Sequence, residues 1–151
     1  MPRCRIRLLV VSAFLGIYLL LSGCATLGPV YQKVDPIPEG TGIVYIYRPS
    51  AFGGSGVSYD VKVGETVITT LYNGGYHPYV SKPGEIEFWA KTESRSAVTL
   101  DIAPGQIYYL KGTVGIGFFV GRPHLMVIPE ETALKEIGEC KLIPPPEKSK
   151  E

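Results

Sequence analysis

Four glycine-bearing dipeptides cut the middle of the chain into short pieces: Gly64-Glu65, Asn73-Gly74, Pro83-Gly84 and Pro104-Gly105. Two of the runs between them, 66–72 and 75–82, are strand-length and too short for ordinary helices, and the third, 85–103, divides into two strand-length pieces, 85–92 and 96–102. Gly64-Glu65 fits a type II′ hairpin, and Asn73-Gly74 fits type I′, in which both central residues need positive φ. Pro83-Gly84 and Pro104-Gly105 fit type II turns, with proline presetting φ and glycine taking the left-handed position. The punctuation predicts strands over 43–48, 57–63, 66–72, 76–81, 85–92, 96–102, 106–114 and 118–128. Composition agrees: from residue 24 onward, Val, Ile and Thr number 32 and aromatic residues 14, together 46 of 128. Branched and aromatic side chains suit a pleated surface.

Alternation shows that the predicted strands have one wet face. Val57, Tyr59, Val61 and Val63 oppose Ser58, Asp60 and Lys62, while Val98, Leu100 and Ile102 face one way. That pattern is expected of an antiparallel sheet with one buried face. The predicted fold is therefore all-β, an antiparallel two-sheet sandwich of immunoglobulin-like or transthyretin-like type, with one short C-terminal helix. Pro129-Glu130-Glu131 opens that helix, with acids at the positive end of its dipole. Leu134 and Ile137 share a face, Gly138 stands near its end, and the helix is expected on the sheet edge or end.

The front of the chain is of another kind. Residues 1–23 hold Arg3, Arg5 and Arg7, no acid, and 15 of the 68 apolar residues. Without them the formal charge moves from +1 to −2. A nucleic-acid binder would show a basic excess, so that partner class is excluded. The apolar run Leu8–Leu21 is 14 residues long, short of the roughly 20 that a spanning helix needs and suited to a signal peptide. It ends in Leu21-Ser22-Gly23-Cys24, which resembles the lipobox of bacterial lipoproteins. The resemblance implies cleavage before Cys24, a diacylglyceryl thioether on its sulfur and usually an amide-linked acyl chain. Ala25 in place of Asp points to the outer membrane, given a Gram-negative source. Residues 24–41 read as a lipidated N-terminus and tether, 42–142 as the domain, and 143–151 as a disordered tail beginning near Pro144-Pro145-Pro146.

Within the domain, Val44-Tyr45-Ile46-Tyr47-Arg48-Pro49-Ser50-Ala51-Phe52-Gly53-Gly54-Ser55-Gly56, Ala90-Lys91-Thr92-Glu93-Ser94 and Gly117-Phe118-Phe119-Val120-Gly121-Arg122-Pro123 resemble domain-of-unknown-function family 2846, found in small bacterial lipoproteins. The likeness covers about residues 42–142. It implies an extracytoplasmic β-rich domain and no known activity.

No catalytic motif stands out. His77 and His124 lie in no metal-ligand spacing and read as surface or loop residues, and no cofactor motif is found. Gly53-Gly54-Ser55-Gly56 lacks the Lys-Ser/Thr of a phosphate loop. In the later run, Thr113, Gly115, Gly117, Phe119 and Gly121 share a face where glycine permits a bulge, a sharp bend or close approach, the alternative being a flat groove for a ligand or partner strand. Cys140, left alone once Cys4 and Cys24 are accounted for, reads as a partly buried small apolar residue, the alternatives being a reactive thiol or one that pairs between chains. Three residues are candidates for binding. Trp89 falls with Glu85, Glu87 and Lys91 on a wet face, as a stacking platform for sugar or protein unless the C-terminal helix or a loop covers it. Arg48 and Arg122 each precede proline and either bind an anion together or are solvated strand ends. The expected function is a non-enzymatic outer-membrane lipoprotein whose periplasmic domain binds another envelope protein or peptidoglycan. Alternatives are a cell-wall hydrolase or transferase with an unidentified site, and a passive structural lipoprotein.

Overall fold

A computed structural model describes residues 27–145. The signal, the lipobox Leu21–Cys24, Ala25 and residues 146–151 lie outside the described residues. In chain order the elements are β1 (Gly42–Arg48), β2 (Tyr59–Val63), β3 (Thr66–Leu71), β4 (Gly75–Ser81), β5 (Gly84–Lys91), β6 (Arg95–Ile102), β7 (Ile107–Gly115), β8 (Arg122–Val127), α1 (Glu130–Ile137) and β9 (Lys141–Leu142). They form a five-stranded sheet, β8-β7-β1-β4-β9, and a four-stranded sheet, β3-β2-β5-β6.

The expected two-sheet sandwich is present. Two pairs in the larger sheet, β1–β7 and β4–β9, are parallel and the rest antiparallel. Apolar side chains from both sheets close the space between them, among them Val44, Ile46, Val61, Phe88, Leu100, Ile102 and Leu110. Removing this apolar area from water is the main stabilising term. Gly112 of β7 lets the two sheets approach, because a Cβ there would strike Leu71 and the Tyr59 hydroxyl.

A second core lies on the other face of the five-stranded sheet. Every residue of β1 is buried, because β1 is central and covered on both sides. Ile43, Tyr45, Tyr47, Tyr76 and Tyr109 pack there beneath Ala133, Ile137 and Cys140. The helix therefore lies on a sheet face rather than an edge. Its buried residues are Ala133 and Ile137, whereas Leu134 is 43% exposed, a correction to the Leu134–Ile137 stripe.

Residues 27–37 complete that layer instead of forming a free tether. Gly28 N donates to Leu142 O at 2.6 Å, and Tyr31 N donates to Cys140 O at 2.8 Å. Tyr31, Val34 and Ile37 pack on the tyrosine core. At the other end Ile143, assigned to the tail, is buried, and its N–H donates to Tyr76 O.

The turns divide. Gly64 has φ 55° and closes the β2–β3 hairpin with no positive φ at Glu65, as type II′ requires. Ala103–Gln106 closes with Gln106 N donating to Ala103 O. Asn73-Gly74 is not type I′: no residue other than glycine has positive φ among the described residues. The chain there passes from β3 in one sheet to β4 in the other, so there is no hairpin to close. Asn73 Oδ1 instead accepts from Ala51 N at 3.0 Å.

Candidate functional site

Trp89 stands on the outer face of β5, opposite Lys62 of β2 and Ala97 of β6. The helix lies on the other sheet and does not cover it. Its flanks are instead occupied by cations: Lys62 Nζ and the Arg95 guanidinium carbon each lie 5.0 Å from the ring. Trp89 Nε1 donates to Gly64 O at 2.8 Å, which ties the ring to the hairpin. Cation–π contact holds Trp89 within a charged surface, so it is not a bare stacking platform. Glu87 joins this surface through Arg95, at 3.0 Å.

The structure does not join Arg48 and Arg122 into one anion site. Arg48 is 2% exposed, not a solvated strand end. Its Nη1 donates to Val57 O at 2.6 Å and its Nη2 to Gly54 O at 2.7 Å. Burial lowers its pKa, partly offset by Tyr59. Among the described residues it has no carboxylate partner. Its two carbonyl bonds pin the glycine loop between β1 and β2. Arg122, at the start of β8, lies 3.6 Å from Glu93 Oε2 and stays half-exposed. A cleft of about 460 Å³ beside it is walled in part by Arg95, Arg122 and His124.

Other candidates are quiet. Cys140 is buried in the tyrosine core, and burial, then Glu136 and Glu139, pushes its thiol pKa up to about 11. A thiol held protonated in this way is a poor nucleophile. His77 is half-buried within β4 rather than in a loop, and burial lowers its pKa. Among the described residues no group of three or more His, Cys, Asp or Glu side chains is placed to hold a metal ion.

The most exposed apolar surface lies elsewhere. β7 ends at Gly115 and β8 begins at Arg122, so the strand expected over 118–128 starts later and residues 116–121 form a loop. Ile116 is 96% exposed, Phe118 82% and Phe119 87%. Phe52, from the β1–β2 loop, is fully exposed. Glu93 of the β5–β6 turn shapes the loop. Its carboxylate accepts the backbone N–H groups of Phe118, Phe119 and Val120. Those bonds, with help from Arg122, hold its pKa down at about 2. Three consecutive amides around one anion form a nest that strand pairing would have consumed. Sequence reasoning placed Gly115, Gly117, Phe119 and Gly121 on a strand face and missed the loop, its exposed side chains and the role of Glu93. The available signal was Gly115–Gly121 itself, a glycine-spaced apolar run with no polar face to alternate against.

No family model matches the chain, and no solved structure matches it. An uncharacterized protein of Haemophilus influenzae is 25% identical over 139 residues, spanning 87% of this chain and 82% of the relative. The likeness runs through most of both chains and brings no activity with it.

Proposed function

We propose that this chain is a lipoprotein of the bacterial cell envelope, acylated at Cys24, and that its β-sandwich works by binding rather than catalysis. The observation that carries the reading is Leu21-Ser22-Gly23-Cys24 behind a cationic stretch and a 14-residue apolar run. Two or three acyl chains on one residue make release from a bilayer negligible, since each buried methylene contributes about 0.8 kcal/mol. Ala25 favours the outer membrane, with the domain facing the periplasm. The resemblance of residues 42–142 to family 2846 belongs to the same reading. The partner is another envelope protein or peptidoglycan. The charged face around Trp89, with Lys62, Glu87 and Arg95, is the surface offered to it.

Mass spectrometry of the mature N-terminus tests the anchor. An acylated peptide beginning at Cys24 is expected, and a mature peptide that starts before Cys24 refutes it. Crosslinking in intact envelopes and sedimentation with purified peptidoglycan test the binding role. Substituting Trp89→Ala should weaken whichever association is found. Turnover of a cell-wall substrate without any retained partner would reverse the assignment.

A further inference from the structure

We propose that Phe52, Ile116, Phe118 and Phe119 insert into the interface of the membrane that carries the Cys24 anchor, and so set the orientation of the sandwich on it. The inference rests on the lipoprotein reading. Three features support the insertion: topology, reach and the chemistry of the tip.

Topology puts the tip and Gly28, in the strap of residues 27–37, near one end of the sandwich. β1 and β7 run parallel, with Tyr47 opposite Lys111. β7 then continues four residues to Gly115, about 13 Å beyond that level at 3.3 Å per residue. Gly28 bonds to Leu142, which is opposite Tyr76, and Tyr76 is opposite Tyr47. Gly28 therefore lies at the Tyr47 level, where the strap runs antiparallel to β9 and so toward the tip, the chain ahead of it approaching from the far side. From β9 to β7 are three strand spacings, roughly 14 Å. With those two offsets, a strand tilt of roughly 45° from the membrane normal sets Gly28 and the tip on one plane.

Reach keeps the tip at that membrane. Three peptide steps separate Cys24 from Leu27, which already packs on the inter-sheet core. They span at most about 11 Å. A body held so close meets its own bilayer before any other partner.

The tip is built for a low dielectric. Residues 115–121 carry no charge. An unbonded backbone N–H is costly in lipid, and here the amides of Phe118, Phe119 and Val120 are already bonded to Glu93. In the Phe52 loop Val57 N donates to Gly54 O, and Arg48 takes up the Gly54 and Val57 carbonyls. Glu93 and Arg122 pair at the base of the loop, the level of the headgroups. Phe118 and Phe119 pack edge to face at 4.6 Å and, with Ile116 and Phe52, stay exposed, a convex apolar tip that suits a soft interface better than a preformed protein pocket.

The test uses the full acylated protein in vesicles of phosphatidylethanolamine and phosphatidylglycerol, part of whose acyl chains are brominated. Trp89, the only tryptophan, is replaced by phenylalanine and a single indole introduced by Phe118→Trp, or by Phe119→Trp as a second reporter. Blue-shifted emission with about twofold bromine quenching is expected. Native Trp89, on the outer face of the other sheet, should stay unquenched. An introduced indole that is unquenched by bromine and open to aqueous quencher overturns the insertion, as does its crosslinking to a second copy or to an envelope protein in place of quenching. The mass of the N-terminal peptide separates the two readings. An unacylated Cys24 overturns the anchor and the insertion together, whereas an acylated Cys24 with an unquenched tip overturns only the insertion.

Discussion

The five-stranded sheet divides two cores of different chemistry. Between the sheets the contacts are largely aliphatic, with Phe88 as the largest fully buried side chain of that cluster. On the far face tyrosines dominate, and their rings meet edge-on or stacked: Tyr31 to Tyr45 at 5.2 Å, Tyr31 to Tyr76 at 5.3 Å and Tyr45 to Tyr109 at 5.6 Å. Aliphatic packing is non-directional and scales with area. A buried tyrosine also carries a hydroxyl that requires a partner. In the second core those partners belong to the covering segments. Tyr45 Oη accepts from Val34 N at 2.6 Å, Tyr76 Oη accepts from Gln32 N at 3.2 Å, and Tyr47 Oη donates to Glu136 at 2.8 Å. The first core holds the sandwich together. The second fixes where the strap and the helix lie, and the strap is the part that leads from Cys24.

The largest effect should come from the first core. Phe88→Ala removes a fully buried ring at the centre of the sandwich and should cost about 3–5 kcal/mol in denaturant unfolding. Both cores should be lost together, in one transition. A biphasic curve, with the strap and helix melting apart from the sandwich, would show that the tyrosine layer is a separate folding unit.

A smaller effect is expected from Tyr47→Phe. The substitution keeps the ring and deletes one hydrogen bond to a carboxylate, for about 1.5–3 kcal/mol. It should also change the acid side of the stability profile. Burial raises the pKa of Glu136, but hydrogen bonds from Lys111 and Tyr47 outweigh it, and the net shift is downward. A depressed carboxylate pKa adds stability that is present above its unfolded value, about 4.3, and is lost as pH falls through the folded value. The wild-type advantage over Tyr47→Phe should therefore be constant near neutrality and shrink below about pH 4. An advantage independent of pH would mean that Glu136 contributes nothing through this bond.

The two cores also differ in how far the sequence announces them. Val57, Tyr59, Val61 and Val63 alternate against polar neighbours, so their face is readable. Ile86, Phe88 and Ala90 are equally plain. In β1 no alternation exists, because Gly42 to Arg48 is buried on both sides, and a strand buried on both faces reads only as an apolar run. Its cover was hidden by chemistry: Gly28, Pro29, Pro36 and Pro38 mark residues 27–38 as irregular, and irregular chain can still dock through side chains such as Tyr31 and Val34. β9 is two residues long, below any periodicity. Among the site residues, the proline after Arg48 gave no sign that the guanidinium turns inward to bond two loop carbonyls. Glu93 and the Phe118–Val120 amides are 25–27 residues apart, and only the fold brings them together.

The smallest effect, and the sharpest division between the two cores, should come from Tyr31→Phe. The Tyr31 hydroxyl is buried near those of Tyr45 and Tyr109 without hydrogen-bond geometry to a partner. Burial pushes its pKa upward, so it stays protonated throughout the ordinary pH range. A buried hydroxyl without a partner costs desolvation energy and returns none of it. Its removal should leave stability unchanged or raise it by up to about 1 kcal/mol, and the rings stay packed because the phenyl group is kept. Tyr47→Phe, the same chemical change in the same core, should move stability the other way. Opposite signs from one substitution at two positions would show that the second core is specified by hydroxyl partners and not by aromatic area. A loss at Tyr31 as large as that at Tyr47 would mean that its hydroxyl is bonded in solution, and the strap would then make a further hydrogen bond to the tyrosine core besides those at Val34 and Gln32.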